Sequence, residues 1–385
     1  MKKLILLLLP AGLLLGFSAP HTAPESTPAP NTTDTMVQDR DAATKALTMN
    51  GSTYAWDLFV WLNSPVTGPD AKRWEHWKPT SEVYLPDGAT PQPWDLAKQP
   101  LPPPEPVTKQ AEAMGLDMSL PFHNLDAGIQ VDGLVLKDKW NTIVRYQLLM
   151  NQPTFDYILA KGLYNINGQE ALAATGKGAD FPWNSWELKT SWIWLGDNTA
   201  HYQEVKPYYY VVNAYYQKFD RDGEPDGWAT GRAAMSGMHI INKTLPDWVW
   251  ITFENVHNPT FTQVKLELPI SQQAQNANKQ YQTQLGTDGS IFANYQLDGV
   301  QANFTQPLLL ANSQIESAFQ SNSSCISCHG VAAVNKSGAH FSMVKPDGGN
   351  LTYYTGDLGT PRPYVKEGYV SLDFVFSLKR AHRKR

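Results

Sequence analysis

Cysteine is nearly absent. The 385 residues hold two, Cys325 and Cys328, so whatever chemistry that pair serves leaves no thiol for any other task. Beyond the N-terminus no run is long and apolar enough to span a bilayer. Charge of one sign is scarce as well. Thirty-one basic and 36 acidic residues leave a net charge of −5, a mild acidity that argues against nucleic acid as a partner. There is no P-loop, no dinucleotide fingerprint and no G-x-S-x-G elbow. Internal repeats are missing, and carboxylates such as Asp138 and Glu254 have no spacing that argues for paired acid–base work.

What is present is concentrated in five residues, Cys325-Ile326-Ser327-Cys328-His329. They read C-x-x-C-H, the attachment pattern for a c-type haem. Two thiols add across the porphyrin vinyl groups, and the adjacent histidine supplies one axial nitrogen to iron. A disulfide or a dithiol redox pair would account for the cysteines but not for His329. No βαβ pattern surrounds the motif, as a thioredoxin-like pair would require. The cofactor expected is therefore one covalent haem c, held by Cys325 and Cys328 with His329 as proximal ligand.

The N-terminus agrees with that chemistry. Lys2 and Lys3 precede an apolar run from Leu4 to Phe17, and small residues follow at Ser18, Ala19 and Ala23. This is the pattern of a cleaved secretory signal over residues 1–23. No cysteine follows the run to take a lipid anchor. The expected location is the periplasm, the expected partner a redox protein there, with no transmembrane segment left after cleavage. Losing Lys2 and Lys3 would take the net charge to −7.

Along the rest of the chain, residues 24–36 are a disordered leader rich in Pro, Thr and Ala. Residues 37–170 form a helical and irregular region with helices expected over Val37–Leu47, Ala55–Leu62, Lys139–Asn151 and Phe155–Leu163. It includes a strap with seven prolines between residues 91 and 106. Such a run forms neither a helix nor a central strand. Residues 171–306 turn β-rich. Strands are expected over Leu188–Leu195, Val205–Phe219, Ala234–Lys243, Trp248–Val256, Val264–Leu268 and Ser290–Phe304, with a hairpin turn over Asp220–Gly227. In Trp248–Val256, Trp248, Trp250, Thr252 and Glu254 share one face, and Val249, Ile251 and Phe253 the other. Residues 307–385 are the haem-attachment region packed on the β domain. Ser313 and Glu316 form an S-x-x-E capping box opening a helix that leads to the motif. The fold expected is α+β, an antiparallel β-rich central domain with flanking helices and a C-terminal haem-attachment segment.

The ligand opposite His329 decides the chemistry. A second strong ligand suits electron transfer, whereas an open position admits oxygen, peroxide or another small molecule. Met343 lies just behind the motif, His340 in the same loop, and His239 on an expected strand. Each has an ordinary structural role as its alternative. Trp192, Trp194, Trp248 and Trp250 could line the pocket, although sheet core is the more ordinary place for them.

Trp74-Glu75-His76-Trp77, Met238-His239-Ile240, the Trp248–Glu254 segment and Ser324–Gly330 together resemble a group of exported bacterial single-haem c-type cytochromes, over most of the mature chain. The resemblance implies covalent haem at Cys325 and Cys328, iron ligation by His329, and export; it implies no substrate. The short segment after the motif departs from the small class I cytochrome pattern. Three functions are open at this point: an electron carrier between envelope partners, an enzyme acting on oxygen, peroxide or a nitrogen oxide, and a haem-based binding or sensor module.

Overall fold

The computed structural model describes residues 37–65, 72–95, 101–126, 134–303, 307–341, 344–347, 350–353 and 368–385. The expected signal peptide and leader, and Met343, lie outside them. The first two helices, α1 (Arg40–Met49) and α2 (Gly51–Leu62), meet at Asn50. Its backbone N–H closes α1 on Ala46, while its side-chain oxygen accepts from the N–H groups of Ser52 and Thr53 to cap α2. Strand β1 (Lys78–Pro79), helix α3 (Glu105–Ala113) and strands β2 (Phe122–Asn124) and β3 (Arg145–Met150) follow. Next come helices α4 (Gln152–Ala160) and α5 (Ile166–Ala174), strand β4 (Trp186–Gly196) and helix α6 (Thr199–Val205). Strands β5 (Val211–Phe219), β6 (Pro225–Asn242) and β7 (Val249–Asn255) lead to helices α7 (Asn258–Phe261) and α8 (Gln272–Thr287) and strand β8 (Tyr295–Ala302). The motif is a five-residue helix, α9 (Cys325–His329), followed by strand β9 (Ala333–Asn335); after a further hairpin, β10 (Val344–Asp347) and β11 (Asn350–Tyr353), comes β12 (Tyr369–Ser371).

The result is a mixed α+β fold built on one eight-stranded sheet. Its central path runs β1-β3-β4-β6-β5-β2, with β7 joining β6 to β8. All pairings are antiparallel except β2 with β5. The 18-residue β6 organises it. One edge of β6 pairs with β4; the other pairs first with β5 and then, beyond Ser236, with β7. Because the sheet is covered on both sides, alternate residues of β7 enter different cores. Val249, Ile251 and Phe253 join Trp56, Phe59 and Tyr295 beneath α2 and α8. Trp248 and Trp250 join Phe155, Ile326 and Phe374 beneath α4 and the C-terminal region. The two expected faces are both interior.

Three local expectations are corrected. Lys139–Asn151 is not a helix. The Asp138 carboxylate accepts from the N–H groups of Trp140 and Thr142, Asn141 turns at φ +66, and the chain leaves as β3, paired with both β1 and β4. Val264–Leu268 is not a strand: Gln320 takes the Glu267 N–H and donates to the Lys265 carbonyl, so a side-chain amide replaces a ladder partner. No helix opens at Ser313. Asn312 donates to Thr252 and the Phe253 carbonyl, Ser313 N–H to Glu254, and these bonds to β7 hold residues 311–319 in turns. Asn312, rather than Ser313, gives its N–H to the Glu316 carboxylate.

Phe59 is fully buried and stacks on Phe253 at 4.2 Å between centroids, joining α2 to the sheet. Phe59→Ala should cost about 3–5 kcal/mol by loss of burial and opening of a cavity. Denaturant unfolding of the purified protein measures it, and a loss below about 1 kcal/mol would contradict the packing described.

Candidate functional site

The motif is fastened to the sheet before any cofactor is considered. Gln301, on β8, accepts from the Ile326 N–H at 3.2 Å and donates to the carbonyls of Pro307 and Leu308. Ile326 is buried in the same core as Trp250. These contacts leave Cys325, Cys328 and His329 on the wall of one cavity of about 250 Å³. The opposite walls come from β4 (Glu187, Lys189), β6 (His239), β7 (Trp250) and the turn bearing Glu316, and Lys379 and Arg380 stand exposed at its rim.

His329 is oriented from behind. Its Nδ1 lies 2.8 Å from the Phe374 carbonyl oxygen. A carbonyl can only accept, so Nδ1 carries the proton and Nε2 keeps its lone pair. The ring packs on Trp250 at 4.4 Å and edge-on to Phe376 at 5.3 Å. Burial drives its pKa down to about 4, so the imidazole is neutral at ordinary pH. A neutral ring with its outer nitrogen held by a carbonyl is the arrangement a metal-binding histidine needs.

Phe374 reaches that position through a strained turn. Asp373 and Phe374 both have positive φ, +53° and +68°, a region L-residues visit at a cost of about 1–3 kcal/mol each. The turn is fixed on several sides. The Asp373 carboxylate pairs with Lys243 and accepts from the Phe181 N–H at 2.7 Å. Leu372 N–H donates to the Ala332 carbonyl, and β12 pairs with β9 just beyond the motif.

Both cysteines are free thiols. Burial, reinforced by the negative charge of Glu316, pushes Cys325 well above its ordinary pKa; burial pushes Cys328 up to about 11. A dithiol redox pair works through a thiolate with a lowered pKa, so this environment is the reverse of what that alternative needs. Two half-buried free thiols followed by an imidazole with a free Nε2 are the donor kinds that covalent haem attachment uses.

The distal candidates separate. His239 is on β6 as expected, 7% exposed, and lines the cavity. Its Nε2 stands 3.4 Å from Glu316 Oε2 and forms no well-shaped hydrogen bond. Burial alone would raise the Glu316 pKa, but His239, Lys189 and the Asn312 N–H outweigh it and hold the carboxylate ionised. His340 does not line the cavity: its Nε2 is bonded to Gln169 Oε1 at 2.6 Å, beneath α5. Of the four tryptophans that could line the pocket, with sheet core as their more ordinary place, Trp250 lines it; Trp192, Trp194 and Trp248 pack in the sheet cores. Sequence reasoning did not find Glu187, Lys189 or Arg380. The first two sit within the alternating strand that ends near Leu195, where a charged residue facing inward leaves no periodic signal.

Glu187 carries a pH dependence. Burial raises its pKa from 4.5 to about 7, although Ser377 donates to it. Protonation therefore favours the folded state, and the contribution present below pH 4.5 is lost as pH rises through 7. Glu187→Gln should be more stable than wild type above pH 7, on the order of 3 kcal/mol, with the difference vanishing below pH 4.5. Unfolding measured from pH 4 to 9 checks this; a constant difference across the range would contradict it.

Comparison with family models, with curated proteins and with solved structures finds no match for this chain.

Proposed function

We propose that the chain is an exported, periplasmic monohaem c-type cytochrome that passes single electrons between envelope redox partners. Cys325 and Cys328 would hold haem c through thioethers, and His329 Nε2 would be the proximal ligand. The observation that carries this reading is the pairing of His329 Nδ1 with the Phe374 carbonyl beside two half-buried thiols on one cavity wall. His239 would be the distal ligand, since it is the described candidate that shares the cavity and its Nε2 is free of a good hydrogen bond. A haem with two strong axial ligands changes charge with little rearrangement, which is what an electron carrier needs. The protein's own part is to hold the imidazole in one tautomer and to set charged groups around the cavity that the haem would occupy. Export rests on the charge and length pattern of residues 1–23. Among the described residues no helix is long and apolar enough to cross a membrane.

A second reading has one observation in its favour. The Glu316 carboxylate beside His239 is a buried acid–imidazole pair facing the cavity. Such a pair can move a proton to or from a small molecule. On this reading His239 stays off the iron, and the protein acts on oxygen, peroxide or a nitrogen oxide.

Absorption spectra separate the two. The carrier reading expects a low-spin ferrous protein that does not take up carbon monoxide. His239→Ala should bind carbon monoxide readily, and His340→Ala should behave as wild type. A high-spin ferrous wild type that binds carbon monoxide at once would overturn the carrier and favour the second reading.

A further inference from the structure

The cavity holds a cation that has no counter-charge in contact. Lys189 projects from β4 into the same space as both cysteines and His329. Among the described residues no carboxylate lies within ion-pair distance of its Nζ and none accepts a hydrogen bond from it; its Nζ stands 5.2 Å from the centroid of the Tyr146 ring. The other basic groups in the lining differ. Arg380 is paired with Asp126 at 3.0 Å, and Lys379 is exposed at the rim. The acidic lining groups are engaged too. Glu187 accepts from Ser377, and Glu316 accepts from Asn312 N–H and faces His239. Glu316 acts on this half-buried ammonium only from beyond ion-pair distance, and a cation partly withdrawn from water with no anion in contact favours a ligand of opposite charge.

Resting on the haem reading above, we propose that Lys189 is the anion-binding residue of this cavity and takes a carboxylate, namely a propionate of the attached haem. Cys325, Cys328 and His329 fix one part of the group to α9. The propionates are its only charged periphery, and Lys189 on the facing strand is the described lining cation that is partly withdrawn from solvent and makes no ion pair. The strand thereby grips the side of the macrocycle that the thioethers do not. Lys189 is a positioning residue: it reaches the iron through the carboxylate and not by contact. A free small anion would satisfy the same ammonium, and the experiment distinguishes that source.

The test uses the matured holoprotein, with haem attachment first verified by mass for each sample. Resonance Raman spectra report the propionate bending bands, and a redox titration reports the midpoint potential. In Lys189→Met the propionate bands should shift and the potential should fall, because removing a positive charge near the iron favours the ferric form. Lys189→Arg should retain the wild-type bands. Lys189→Gln, which keeps a hydrogen-bond donor without the charge, should fall between and covers the case in which Met does not accumulate. Unchanged propionate bands in both Met and Gln variants would overturn the proposal. So would a wild-type spectrum perturbed by added azide, with the perturbation lost in those variants and the propionate bands unmoved, since Lys189 would then serve a free anion. Failure of the haem reading itself shows differently, as a wild-type protein with no attached haem.

Discussion

The site depends on one hydrogen bond, from His329 Nδ1 to the carbonyl of Phe374. It decides the tautomer of the imidazole, and the tautomer decides whether Nε2 has a lone pair to offer. That carbonyl is in place only because Asp373 and Phe374 accept a left-handed backbone, and they accept it because Lys243, Phe181 N–H and the β9–β12 ladder hold them there. Lys243 follows directly on β6, the strand that branches the sheet and carries His239. The sheet therefore organises the site at two points: through the ion pair that fixes the turn behind His329, and through the strand face opposite the cysteines.

Burial does the rest of the electrostatics. In one cavity it raises both thiols, lowers the imidazole and raises Glu187. Each change disfavours a charge, and together they keep the motif's donors neutral. The charge that survives inside is held by specific partners, as in Glu316 with His239 and Asn312, or is left facing the cavity, as in Lys189. Neutral donors, and a cation without an ion-pair partner, are what the proposed haem with its two propionates would need.

Part of this was legible from residue order. The motif is local, so its five residues announce themselves, and β7 alternated cleanly because its two faces enter two different cores. His239 was placed on a strand because the run Ala234–Lys243 is apolar, and that strand is β6. What failed was decided by distant partners. Trp140 to Leu148 has helical spacing, but the ladder with β4 and the Asp138 turn override it. The Ser313–Glu316 pattern mimics a cap, but Asn312 is drawn to β7 instead. Helix α8 is rich in Gln and Asn and buries little beyond Ala274, Ala277 and Asn278, so its apolar stripe was too faint to see. Lys189 and Glu187 could not be read at all, because an inward charge on a strand acquires meaning only once the opposite wall is known.

The most direct test of the account is the mass of the mature protein and of its Cys325–His329 peptide, produced in cells with working haem-maturation machinery. The account predicts an added mass of one haem, carried on that peptide and resistant to denaturation and thiol reduction. A colourless protein whose two cysteines remain free or form a reducible disulfide would contradict it.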